Sequence, residues 1–129
     1  MKREILFRGK RIDNGEWVKG CLVYANDACL INPEDDFFNY YNDAKPLLVD
    51  ICGETIGQFT GLKDKNGQEI YEEDILSFKD EVGNIGEVIV GFENGGFIVF
   101  KGLAWRYIGQ YDAIKNNMVV IGNIHEVAK

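Results

Sequence analysis

Short apolar runs recur along the chain, separated by glycine, asparagine and aspartate rather than by long polar tracts. In GEVIVGFENGGFIVFK, residues 86–101, two such runs flank Asn94-Gly95. Asn-Gly is a strong hairpin signal because both residues tolerate positive φ. The same dipeptide occurs at Asn14-Gly15 and Asn66-Gly67, again between strand-like runs. CLVYANDACLIN reads as two more short strands about a turn at Asn26-Asp27, and NMVVIGNIHEV as a closing strand.

Cross-strand pairing selects the loop length in each hairpin, because like charges directly opposite each other are unfavourable. At the first hairpin a two-residue loop opposes Asp13 with Glu16 and Lys10 with Lys19. A three-residue loop, Asp13-Asn14-Gly15, instead sets Arg11 beside Trp17 and Lys10 beside Val18, and is the expected form. At the second, Lys65-Asn66-Gly67 as the loop pairs Lys63 with Glu69 and Leu62 with Ile70. At the third, a tight Asn94-Gly95 turn sets Phe92 against Phe97 and Val90 against Val99.

Helical signal is sparse. Leu103, Tyr107, Tyr111 and Ile114 recur at spacings of four, four and three. This predicts one amphipathic helix with Tyr107 on its core side, although Gly109 interrupts it. NPEDDFFNYYNDA fits one or two helical turns after Pro33, with Glu34, Asp35 and Asp36 at the helix start, or an extended loop. The expected fold is mostly β with one or two short helices, its hairpins forming a small SH3-like barrel assembly.

With 129 residues the chain is expected to be a single domain with one core. Fifteen glycines and two prolines agree with many tight turns. No run approaches the roughly 18 apolar residues of a membrane span, and MKREILFRGKR lacks the apolar centre of a secretory signal. A cytoplasmic protein with no membrane association is expected. Cys21, Cys29 and Cys52 fit neither a CxxC pair nor a zinc spacing, and read as reduced, buried thiols.

The net charge of −7 disfavours general nucleic-acid affinity, yet residues 1–20 carry +3 against −10 for the remainder. Arg3, Arg8, Lys10, Arg11 and Lys19, with Trp17 nearby, form a candidate nucleic-acid edge, which a solvated hairpin explains equally well. Phe37, Phe38, Tyr40 and Tyr41 form the densest aromatic cluster. Together with Trp105 they are candidates for binding a protein partner.

Catalytic constellations are scarce. Glu72, Glu73 and Asp74 are the residues on which a metal-dependent hydrolase would depend. Successive strand residues point to opposite faces, however, so a solvated turn is the expected role. There is one serine, Ser77, and one histidine, His125, and no GxGxxG or GxxxxGK[ST] loop. No catalytic residue, cofactor or metal site is expected, and His125 reads as structural.

TIGQFTGLKDKNGQEIYEEDIL resembles the central signature of the YopX family, in which a TGLxDKNGxxIYExDI pattern recurs. VVIGNIHE is similar to that family's closing VIGNIxEN, with His125 and Val127 as departures. REILFRGKRIDNGEWVKG resembles its first hairpin. The resemblance implies a YopX-type, mostly β domain over residues 1–129, with N-terminal hairpins and an aromatic segment in 1–50 and a barrel-like core in 51–129. It further implies a phage or prophage protein acting in a bacterial cell, and carries no catalytic residues with it. The leading expectation is a non-enzymatic module that binds a phage or host protein. Nucleic-acid binding through the basic hairpin is the second reading and a metal-dependent hydrolase the third; self-association is compatible with all of them.

Overall fold

A computed structural model describes residues 5–33, 48–79, 82–108 and 117–126. The chain divides into two compact units, residues 1–59 and 60–129. Both are built of antiparallel strands, so the mostly β class holds. Among the described residues the sheets are open, with no closed barrel. The predicted aromatic segment Phe37, Phe38, Tyr40 and Tyr41, the acids Glu34 to Asp36, and Arg3 lie outside the described residues.

In the first unit β1 (Phe7–Lys10), β2 (Trp17–Ala25), β3 (Ala28–Pro33), β4 (Val49–Asp50) and the start of β5 (Gly57–Lys63) pair in the order β4-β3-β2-β1-β5. The β2/β3 hairpin turns at Asn26-Asp27, both at positive φ (51° and 32°), with Ala25 opposite Ala28. The turn lies where the sequence predicts it. Alternate residues of these strands face a core of Ile31, Val49 and Ile51, flanked by Val18, Leu22, Cys29 and Ile56. Gly9 permits this packing, since a Cβ there would lie 2.7 Å from Ile51 Cδ1. Cys29 and Cys52 are half-buried thiols, but Cys21 is exposed, contrary to its predicted burial, because it alternates away from this core.

The β1/β2 hairpin differs in register from the charge-based expectation. Lys10 pairs with Trp17 and Arg8 with Lys19, and Arg11 N–H donates to Glu16 O at 2.9 Å. The loop is therefore Ile12 to Gly15, one residue longer than predicted, with Gly15 at φ 72° as the left-handed residue. Local bonds select it. Gly15 N–H donates to Arg11 O, Asn14 Oδ1 accepts Glu16 N–H, and the Arg11 guanidinium grips Asp13 through two bonds of 2.8 and 2.9 Å.

The second unit takes the end of β5, which pairs with β6 (Glu69–Tyr71). Its five-stranded sheet has β7 (Asp74–Lys79), β8 (Ile85–Glu93), β9 (Gly96–Lys101), β10 (Ala104–Tyr107) and β11 (Val119–Asn123) in the order β10-β9-β8-β7-β11. Asn94 and Gly95, at φ 51° and 82°, form the predicted tight turn with Phe92 opposite Phe97 and Val90 opposite Val99. Ile70, Leu76, Val88, Val90, Val99, Ile108 and Met118 fill the core. Each side chain of this kind contributes about 1.5–3 kcal/mol on burial.

The helix expected from Leu103 is absent over its first part. Gly102 at φ 60° and Leu103 form a turn, Leu103 is fully exposed, and β10 returns along β9 with Trp105 opposite Phe100 and Tyr107 opposite Ile98. Pairing on an existing strand outweighs an apolar spacing that two residues alone carry here. Tyr111 and Ile114 lie outside the described residues.

Candidate functional site

Residues 60–76 turn a corner and meet the closing segment of the chain. Asp64 N–H donates to Gln68 O and Gly67 N–H to Asp64 O. This leaves Lys65-Asn66-Gly67 as the loop, with Gly67 at φ 83°, as cross-strand charge predicted. The Asp64 side chain is buried, 5% exposed, and both its oxygens accept hydrogen bonds. Oδ1 accepts the N–H groups of Asn66 (2.8 Å) and Gln68 (2.9 Å), and Oδ2 accepts that of Val120 (2.9 Å). Lys65 N–H donates to Met118 O at 3.0 Å, alongside it.

The acidic triplet is a second corner, and it is not the solvated turn that strand alternation predicts. Asp74 is 1% exposed and its Oδ2 accepts Tyr71 N–H at 2.8 Å. Glu73 takes the left-handed conformation, φ 71°, which costs a non-glycine residue about 1–2 kcal/mol. Its backbone explains why that cost is tolerated: N–H donates to Val90 O at 2.7 Å and C=O accepts Ile124 N–H at 3.1 Å. Glu73 Oε2 lies 3.3 Å from His125 Nε2. Asn123, 3% exposed, accepts His125 N–H through Oδ1 and donates from Nδ2 to Glu126. His125 thus sits at a structural junction. Among the described residues no group of three or more His, Cys, Asp or Glu is arranged to hold a metal ion.

Two surfaces offer recognition chemistry. On the five-stranded sheet, the face opposite the core carries one row of directly paired residues: Trp105 with Phe100, Phe100 with Ile89, and Ile89 with Ile75. Trp105 is 43% exposed and packs edge-on against Tyr107, centroids 5.2 Å apart. Tyr107, expected in the core from helical spacing, belongs to this face through its pairing with Ile98. A groove of about 430 Å³ follows the row, lined by Ile75, Ile89 and Phe100, with Glu87 and Lys101 at its margin. Glycines keep the face flat: a Cβ on Gly96 would lie 2.9 Å from Tyr107, and one on Gly91 3.1 Å from Phe100.

The other surface is on β1 and β2. Their register puts Arg8, Lys10, Trp17 and Lys19 on one face. Arg8 Cζ lies 4.6 Å from the centre of the Trp17 ring and Lys10 Nζ 5.4 Å from it. The backbone of Lys10 is fixed at both groups, its N–H donating to Thr55 Oγ1 and its C=O accepting Cys52 N–H, each at 2.8 Å. Arg11, grouped with these cations on sequence grounds, turns instead to Asp13. Its hydrogen bonds and charge hold the Asp13 carboxyl below, and its own guanidinium above, their ordinary values.

Sequence reasoning missed Asp64 as a junction. An aspartate two residues before Asn66 and four before Gln68 is a local signal for a side chain that caps its own turn. Its third bond, to a strand 56 residues later, has no local signal. The family model described as YopX protein matches residues 6–129. No curated protein matches the chain.

Proposed function

The chain belongs to the YopX protein family, and from that premise we propose that it is a non-enzymatic binding module for a protein of the phage or of its host, acting in the host cytoplasm. One observation carries this reading: the apolar row Trp105, Phe100, Ile89 and Ile75 crosses four strands on the face opposite the core and begins at a tryptophan 43% exposed. Interface cores are enriched in aromatic residues, and grooves beside them receive apolar side chains of a partner. The groove margin, with one acid and one base, supplies a polar rim.

Of the acidic triplet, Asp74 and Glu73 have partners within the protein, as Asp64 does. Asp64 and Asp74 accept backbone N–H groups, and Glu73 faces His125. These contacts support a structural role for them at the corner.

The test is affinity purification from infected cells with wild type and Trp105→Ala in parallel, the captured protein then being produced and titrated directly. The reading expects one partner whose affinity falls about 30-fold or more in the variant, the loss of a hot-spot residue. Equal binding by both proteins, or no partner for either, counts against it.

A further inference from the structure

We infer that the β1/β2 face of the first unit binds single-stranded nucleic acid, through Arg8, Lys10, Lys19 and Trp17. The starting point is a register that works against the hairpin's own electrostatics. Shifting β2 by one residue would set Arg8 against Gly20 and Lys10 against Val18, dispersing the cations. The fold instead sets Arg8 directly opposite Lys19 and puts Lys10 on the same face. The loop bonds hold this register, and it gathers the cations on one face.

What the register assembles has the composition of a single-strand site. Such sites combine cations that follow the phosphate backbone with flat side chains on which bases stack. Arg8 and Lys10 are two residues apart on one strand, about 6.8 Å along it, comparable to the separation of successive phosphates on an extended strand. Lys19 adds a third cation across the ladder. Arg8 Cζ lies 4.6 Å from the Trp17 ring centre, so the indole supports the guanidinium. A guanidinium plane is itself a surface on which an unpaired base stacks. The bonds from Lys10 to Thr55 and Cys52 fix the strand beneath.

A single strand suits this site better than a duplex. Three cations on two adjacent strands make a narrow footprint, and a chain of net charge −7 lacks the wide positive field that duplex binding uses. The proposal concerns a unit and a ligand class separate from the protein-binding groove.

Anisotropy of a labelled 12-nucleotide strand, DNA and RNA, titrated with the full chain at low and rising salt, is the experiment. Neutralising three phosphates gives a log-log salt slope of about −2. Lys19→Gln is expected to weaken binding and flatten the slope by about 0.7. Because it removes a like-charge opposition, the same variant is expected to melt at or above the wild-type temperature, which separates lost binding from lost folding. Arg8→Lys keeps the charge but is expected to bind more weakly than wild type, since the stacking plane is gone. No binding at low salt overturns the inference. So does preference for a duplex of the same sequence, or equal competition by inorganic polyphosphate, which would mark a general anion surface.

Discussion

The Asp64 carboxylate accepts the backbone N–H of Val120 at 2.9 Å, across 56 residues of sequence, while its other oxygen caps the turn that follows it. One buried side chain joins a hairpin loop to the closing strand. Two stretches with no local reason to be linked are thereby made into one corner.

Asp64→Ala leaves three N–H groups without their acceptor and is expected to destabilise the second unit by about 3 kcal/mol or more. Asp64→Asn retains one oxygen and is expected to cost less. Urea unfolding followed by near-ultraviolet circular dichroism checks the order. Equal stability of Asp64→Ala and wild type would refute the role.

Gly9→Ala is expected to destabilise the first unit by about 1–3 kcal/mol, as overpacking does, because its Cβ would lie 2.7 Å from Ile51 Cδ1. Ile51→Val deletes that atom. The double variant is therefore expected to lose less stability than the two single effects added together, a coupling that a double-mutant cycle measures.

Asp13 is expected to titrate below the range of an unperturbed aspartate, since Arg11 stabilises its charged form through two hydrogen bonds. The sign follows from proton linkage. A depressed carboxyl contributes to folding above its unfolded pKa, and the contribution is lost as pH falls through the lower folded value. Carbon-detected NMR titration should place the midpoint below that of Asp13 in an Arg11→Gln variant.

Leu76→Ala is expected to cost about 2–5 kcal/mol, because Leu76 is fully buried between Val88 and Val120 on the inner strand β7. Trp105→Ala, on an edge strand at 43% exposure, is expected to change the melting temperature little. A large loss there would mean that Trp105 serves the fold rather than a partner.

How far the sequence reveals this arrangement depends on how local each determinant is. The tight turns at Asn26-Asp27 and Asn94-Gly95 and the loop at Lys65-Asn66-Gly67 were legible, because their φ requirements and cross-strand pairs lie within a few residues. The first hairpin was not. Charge pairing argued against Arg8 opposite Lys19, a clash of about 0.2–1 kcal/mol, but did not include Arg11 turning back to Asp13 or Trp17 receiving two cations. Leu103 and Tyr107 kept helical spacing, yet an adjacent strand captured the segment. Asp74 read as solvated because its acceptor role depends on a bend at Glu73, held in turn by Val90 and Ile124. Of the candidate surfaces, Arg8, Lys10, Trp17 and Lys19 were legible as a group. The row from Trp105 to Ile75 appeared only once the strand order was known.

The strand order of the second unit also sets a timetable. β7 has β8 on one side and β11 on the other, and β11 follows all the other described strands in sequence order. Until residues 118–120 leave the ribosome, Leu76 has no Val120 opposite it, the core has no Met118, and Asp64 holds only its own turn. The first unit closes its β1/β2 and β2/β3 ladders over short loops and can form early. The second waits on its longest loop closure, so the edge of β7 stays unpaired until β11 follows it from the ribosome.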